Sequence, residues 1–260
     1  MQKIISIANF ILWDILFLFR EKIVNIVYNS NVTNLEKKII FDLKNKGYFF
    51  LENFLNKEEC FNVIKNIDCF IKDKPEQIEN LNGDKRINGI NKICTISENF
   101  LNNNFLINII KKFEGENKII EKFTLGALLQ YGSSGGDWHR DRTYRRFKYT
   151  KCIIYLNEVD DKNGPFEYIE GSNTMLKSIL YYNKNIVNLS EKNLNSTIVN
   201  KIISMKLSNL VRFKGRPGDL IIFDGRGIHR GAPLVSGKRY ALTNYYRFDE
   251  KENMNFKFIG

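Results

Sequence analysis

Histidine is almost missing from this chain of 260 residues, which has two in all, His139 and His229. A metal site built on three imidazoles is therefore excluded. Cysteine is nearly as scarce. The four residues (Cys60, Cys69, Cys94 and Cys152) include no CxxC pair, which argues against a zinc ribbon or a disulfide scaffold. They read as free thiols in a reducing compartment, so the expected location is cytoplasmic. Proline is limited to four residues, and a 43% hydrophobic share with 13% aromatics supports a packed core, not a disordered chain. No apolar run reaches the roughly 20 residues of a membrane-spanning helix. The longest, Ile4 to Phe19, contains Asn9 and Asp14 and is followed by Arg20-Glu21-Lys22, not by the small residues of a signal cleavage site. Nor is there a basic tract: the net charge is +11, but the lysines are scattered, and no helix-turn-helix or finger pattern accompanies them. No nucleic-acid partner is expected.

Length suits one domain with an extension. Residues 1–34 are read as an apolar helical extension. Its segment 4–19 has no wide polar face, so it packs on the domain or a partner, or makes a peripheral contact with a membrane interface. Residues 35–260 are read as the main domain. Leu35 to Lys46 carries apolar residues at helical spacing and stops at Gly47. Tyr48 to Leu51 reads as a strand. Asn56 with Glu59 makes a capping pair for a helix through Phe70. Lys72 to Lys92 reads as loop, and Asn99 to Phe113 as a further helix. Beyond Glu121, short apolar runs recur between Gly- or Asn/Asp-rich breaks: Phe123–Tyr131, Tyr149–Val159, Phe166–Ile169, Asp219–Asp224 and Arg239–Phe248. That rhythm belongs to a multistranded β fold whose loops carry the site. The Asn-rich stretch 177–208 reads as an inserted helix and a candidate lid.

His139 lies in Gly136-Asp137-Trp138-His139-Arg140-Asp141. In extended chain, residues two apart share a face, so His139 and Asp141 can reach one ion. His229 follows the run Asp219–Asp224 and a glycine turn. Two imidazoles and one carboxylate on one face of an octahedral ion leave three positions open, which suits iron(II) binding dioxygen and a bidentate cosubstrate. Zinc with a bound water takes the same ligands and keeps a hydrolase open. A chance triplet beside a structural histidine is the bland alternative.

Several motifs in a fixed order point further. They are Gly47-Tyr48, Glu52-Asn53-Phe54-Leu55 and Glu58-Glu59-Cys60; then Trp138-His139-Arg140-Asp141; then Asn163-Gly164-Pro165 and Glu170-Gly171-Ser172. The series closes with Pro217-Gly218-Asp219, Phe223-Asp224-Gly225-Arg226, His229-Arg230-Gly231-Ala232 and Arg239. Over residues 35 to 248 the sequence resembles the phytanoyl-CoA dioxygenase-like branch of the 2-oxoglutarate oxygenases. The resemblance implies a mainly β protein with flanking helices (α+β), built on a double-stranded β-helix, the jelly-roll or cupin-like core. It also implies a 2-oxoglutarate-dependent non-haem iron dioxygenase with Fe(II) held by His139, Asp141 and His229. In such enzymes a late-strand arginine pairs with the distal carboxylate of 2-oxoglutarate, a role that falls to Arg239. A guanidinium matches a carboxylate fork and keeps its charge. Strand alternation puts Arg239 on one face with Ala241, Thr243 and Tyr245, and its rival Lys238 on the other. Small Ala241 leaves room for the cosubstrate. Relatives often carry histidine where this chain has Asn173, a position outside the ligand set. Halogenating relatives lack the carboxylate, so Asp141 argues against halogenation.

The implied reaction consumes O2 and 2-oxoglutarate, releases succinate and CO2, and hydroxylates a C–H bond of a small molecule. Arginines crowd the motifs (Arg140, Arg142, Arg145, Arg146, Arg226, Arg230), which suggests an anionic substrate. Extended chain at 139–142 turns Arg140 and Arg142 away from the metal, leaving Arg145 and Arg146 with Trp138 as the substrate-binding candidates. The apolar amino terminus extends that expectation to a lipid- or sugar-linked substrate. The alternatives are a non-catalytic metal- or ligand-binding module of the same fold and a zinc hydrolase. A cosubstrate clamp at Arg239 has no purpose in the first, and no assigned carboxylate serves as general base in the second.

Overall fold

The computed structural model describes residues 7–8, 11–12, 32–130, 132–133, 135–143, 148–248 and 256–260. The extension read over 1–34 therefore lies largely outside the described residues. Elements run α1 (Asn34–Asn45), β1 (Tyr48–Leu51), α2 (Lys57–Asp73), β2 (Glu79–Leu81), β3 (Asp84–Asn88), α3 (Thr95–Leu101), α4 (Asn104–Glu114), β4 (Glu121–Leu129), β5 (Trp138–His139) and β6 (Tyr149–Tyr155). They continue with β7 (Phe166–Ile169), α5 (Met175–Asn183), β8 (Asn193–Leu194), α6 (Ser196–Ser204), β9 (Leu210–Phe213), β10 (Leu220–Asp224), β11 (His229–Gly231) and β12 (Arg239–Arg247).

Local chemistry accounts for the helix ends. Thr33 and Glu36 cap α1 reciprocally, the Thr33 hydroxyl accepting from Glu36 N at 3.2 Å and the Glu36 carboxylate from Thr33 N at 2.8 Å. Gly47, at φ 90°, ends the segment, since only glycine takes that conformation without strain. Asn56 and Glu59 cap α2 in the same reciprocal way. The helix expected over 99–113 is two helices, because the Asn103 side chain accepts from Leu106 N and starts a new one. The supposed loop at 72–92 contains the β2–β3 hairpin, which turns on Asn82 and Gly83, both at positive φ. Asn-Gly is the usual two-residue hairpin turn. The hairpin sits at a sheet edge, so its strands lack the apolar alternation that marks the others.

Among the described residues, the larger sheet runs β1-β10-β6-β12-β4-β3-β2 and the smaller runs β8-β5-β11-β7-β9. All the strand pairings named within them are antiparallel. This is the double-stranded β-helix. One face of the larger sheet packs on α1–α4, where Ile39, Leu43, Val63, Ile67, Leu106, Ile109 and Ile110 meet Cys152, Ile154 and Leu242. Burying each such aliphatic side chain contributes about 1.5–3 kcal/mol. Alternation then sends the other face, Lys151, Ile153, Ala241, Thr243 and Tyr245, into the space between the sheets. The segment 177–208 holds most of α5 and all of α6, which pack on the outer side of the smaller sheet around Trp138 and Ile169. It supplies none of the described residues that line the cavity between the sheets.

Candidate metal centre and active site

The space between the sheets is a cavity of about 350 Å³, reached by residues from both. His139 ends β5 and His229 opens β11, and the two pair directly in the ladder. Their ring centroids are 4.4 Å apart. Asp141 follows His139 by two residues, and its backbone N–H donates to Gly225 O at 2.8 Å. Gly225 has to lack a side chain, because a Cβ there would collide with the Asp141 carboxylate.

Each imidazole is held by its outer nitrogen. His139 Nδ1 lies 2.7 Å from Asp137 O and His229 Nδ1 lies 2.9 Å from Gly227 O. A carbonyl partner requires a proton on Nδ1, which leaves the lone pair on Nε2 facing inward. His229 Nε2 and Asp141 Oδ2 are both buried without a hydrogen-bond partner and are 3.5 Å apart. His139 Nε2 lies 3.7 Å from Asp141 Oδ1. One donor atom from each of the three residues falls within 4.8 Å of the others. Orphaned buried polar atoms of this kind are costly unless an ion satisfies them, so the residues fit a divalent metal.

Their protonation suits that role. Burial raises the Asp141 carboxyl, but the Lys151 ammonium and the two imidazoles outweigh it and hold the group at about 2. Burial, with His139 beside it, pushes His229 down to about 3 against the opposing pull of Asp141. At neutral pH the carboxylate is charged and this imidazole is neutral, as metal ligands must be.

Arg239 opens β12 and lines the same cavity with Ala241, Thr243 and Tyr245, the face expected from alternation. Its Nε and Nη1 are shielded from solvent and have no hydrogen-bond partner. Gly231 makes room for the guanidinium, since a Cβ there would stand 3.1 Å from Nη2. Lys238 is exposed and outside the cavity. Orphaned guanidinium donors next to a metal-ready triad call for an anion. Asp84, the other cavity carboxylate, is taken by Ser133 and Arg86. No described carboxylate is therefore left as the general base of a hydrolase.

The motif before Asn173 braces the His229 turn. Ser172 Oγ accepts from Ile228 N at 2.7 Å, and Asn173 Nδ2 donates to Leu43 O and to Asp224 Oδ2, each at 3.0 Å. Tyr168 donates to Asp224 O at 3.0 Å. Glycine is needed at Gly227 because a Cβ would overlap the Tyr168 hydroxyl.

The substrate residues fall out differently. Trp138 does not meet the cavity: it is buried on the other face of β5, inside the cluster with Ile169, Tyr181 and Leu194, under the guanidinium of Arg230. The alternation that brings His139 inward necessarily turns its neighbour outward. Arg145 and Arg146 lie outside the described residues. Arg140 points away from the metal as expected, but into a buried position near Tyr181, not to solvent. Arg142 does line the cavity, because extended chain ends at His139 and the alternation no longer applies. Arg226 pairs with Asp224 and Glu114, and Arg230 with Glu167, so both serve structural ion pairs. Lys151, Tyr149 and Phe256 line the cavity unforeseen. A lysine inside the apolar run Tyr149–Tyr155, on one face with Ile153 and Tyr155, was the available signal.

The sequence profile of the family described as phytanoyl-CoA dioxygenase (PhyH) matches residues 43–241. No curated protein matches the chain in sequence. Among solved structures, EctD from S. alaskensis with 2-oxoglutarate and 5-hydroxyectoine superposes with a TM-score of 0.64 at 16% identity, covering 84% of this chain and 79% of that one. The non-haem alpha ketoglutarate dependent carbocyclase SnoK from nogalamycin biosynthesis gives 0.62 at 12% identity, covering 84% and 85%. The epimerase SnoN, in complex with Fe3+, alpha ketoglutarate and nogalamycin RO, gives 0.61 at 10% identity, covering 82% and 83%. At these identities the likeness shows a shared fold. Among the described residues, no helix is long and apolar enough to cross a membrane.

Proposed function

The chain belongs to the phytanoyl-CoA dioxygenase family and is a 2-oxoglutarate-dependent non-haem iron dioxygenase, and on that premise we propose that it hydroxylates a C–H bond of a small molecule at the centre built from His139, Asp141 and His229. In this reading those three residues hold Fe(II), and Arg239 receives the distal carboxylate of 2-oxoglutarate. Bound iron and 2-oxoglutarate supply the oxidising power, with succinate and CO2 released. The chain's own residues do the rest. The carbonyls of Asp137 and Gly227 fix the imidazole tautomers. Ala127 and Ala241, paired in the β4–β12 ladder, leave a passage beyond Arg239 toward the triad. Leu125, Ile153 and Phe223 keep the passage apolar, which strengthens every charge interaction inside it.

The observation that carries this reading is the set of orphaned buried atoms turned on one cavity: Asp141 Oδ2, His229 Nε2, and Nε and Nη1 of Arg239. Among the described residues, the cavity wall away from Arg239 is aromatic (Tyr149, Tyr245, Phe256) and carries Arg142. That combination supports a substrate with a cyclic or apolar body, such as a sugar- or lipid-linked molecule, bearing an anionic group. A peripheral membrane contact through residues 4–19 belongs to the same proposal; sedimentation with anionic vesicles that a chain lacking residues 1–20 also shows would end it. The function itself is tested by measuring succinate formed from 2-oxoglutarate under air with added Fe(II). Slow substrate-free turnover, lost in Asp141→Ala, supports it; wild-type protein that forms none with any candidate substrate argues against it.

A further inference from the structure

Lys151 occupies a place that neither the proposed iron ligands nor the cosubstrate clamp explains. It lies in the middle of β6, paired with Phe223 on β10 and Tyr245 on β12. It is buried, with 7% of its surface exposed. An ammonium in such surroundings costs several kcal/mol unless it finds a counter-charge. Its one carboxylate partner among the described residues is Asp141, whose Oδ1 lies 2.7 Å from Nζ. The head is further confined by three rings, with Nζ 4.8 Å from the Tyr245 centroid, 5.3 Å from Tyr149 and 5.9 Å from Phe223. Rings presented to a cation at such distances attract it and limit where it can sit.

The contact makes the two oxygens of Asp141 unequal. Oδ1 accepts from Lys151, whereas Oδ2 is buried, has no partner and faces the equally unpartnered Nε2 of His229 at 3.5 Å. We propose that Lys151 is a positioning residue: it engages Oδ1 of Asp141, reserves Oδ2 as the single carboxylate ligand to iron, and so keeps open the coordination positions that cosubstrate and dioxygen require. A carboxylate with both oxygens available can take two positions on one ion, whereas one tied to an ammonium offers a single oxygen. The inference rests on the reading that Asp141 is an iron ligand, and it assigns Lys151 no contact with substrate.

The test uses the full chain, with Fe(II) alone and then with 2-oxoglutarate, under anaerobic conditions. Lys151→Met keeps the length and apolar stem without the charge, and Lys151→Arg keeps charge and donors. Partners of metal ligands typically contribute about 10- to 100-fold in affinity, and a loss of that size in Fe(II) binding is expected for Lys151→Met with its far-ultraviolet circular dichroism unchanged. Lys151→Arg should recover most of it. The charge-transfer band of the 2-oxoglutarate complex should shift or weaken in Lys151→Met and return in Lys151→Arg, which general loss of packing would not produce. Lys151→Met with wild-type Fe(II) affinity and an unchanged band overturns the proposal. Should Lys151→Met not fold, wild-type protein carrying isotope-labelled aspartate decides the matter. A carboxylate infrared splitting on Fe(II) addition that marks one-oxygen coordination supports the proposal, and a two-oxygen splitting overturns it. Failure of wild-type protein to bind Fe(II) at all is a different result, since it removes the ligand assignment itself.

Discussion

His229 pairs across the β5–β11 ladder with His139, so imidazoles far apart in the sequence stand with ring centroids 4.4 Å apart over a single carboxylate. The ladder fixes the pair: a one-residue slip would turn either histidine to the outer face of its strand. The centre therefore depends on β-sheet register as much as on ligand identity, and its neighbourhood is open to specific tests.

Gly225 is the most exacting neighbour. Alanine there would place its Cβ against the Asp141 carboxylate. Gly225→Ala is expected to retain the fold, because φ at Gly225 is not positive, while Fe(II) affinity falls sharply. Anaerobic competition against a colorimetric chelator measures this, and wild-type affinity in the variant would show that Asp141 does not need its present position.

Arg239→Ala removes the orphaned guanidinium. Hydrogen bonds to charged groups contribute about 1.5–3 kcal/mol, so the KM for 2-oxoglutarate should rise roughly 10- to 100-fold. Arg239→Lys should recover only part of the loss, since an ammonium cannot make the two-pronged contact. Unchanged steady-state KM values in both variants would remove Arg239 from the cosubstrate site.

Fold and site differ in how far the sequence discloses them. The candidate triad was legible from residue type and spacing, and alternation along β12 correctly put Arg239 on one face with Ala241, Thr243 and Tyr245. At β5 the strand ends at His139, so Asp141 and Arg142 both lie beyond it and both line the cavity, and alternation misplaced Arg142. Applied to Trp138, it would have predicted the buried outer position that the residue occupies. The role of Lys151 was hidden because a lone lysine in an apolar strand looks the same whether it faces solvent or a carboxylate from the segment after β5. The β2–β3 hairpin was hidden because edge strands need not alternate, although Asn82-Gly83 marked its turn.

Asn173 is a structural brace in this chain. Its amide bridges Leu43 O and the Asp224 carboxylate at 3.0 Å each. Asn173→Ala leaves both acceptors short of a donor, at a cost of about 1–3 kcal/mol. A chemical-denaturation curve should show that loss with little change in slope. A midpoint equal to wild type would mean the brace is dispensable.

Acid should weaken the metal-free protein in a predictable direction. His229 is held at about 3 by burial and by His139, against an ordinary value of 6.5. Between those values the unfolded chain binds a proton that the folded chain does not. Stability is therefore complete above the unfolded value and falls with falling pH, by about 1.4 kcal/mol per pH unit for this one group. Asp141, held at about 2 against 3.8, continues the loss at lower pH. Denaturation midpoints of metal-free protein should decline from about pH 7 to about pH 4, and the decline should flatten in His229→Gln. An equally steep decline in that variant would assign the effect to other groups.

The central claim is tested most directly by anaerobic titration of iron(II)-loaded protein with 2-oxoglutarate, followed by the visible charge-transfer band that chelation creates. The account predicts a saturable band in wild type, a far higher 2-oxoglutarate requirement in Arg239→Ala, and no band in Asp141→Ala. Wild-type protein that takes up iron but never develops the band would contradict it.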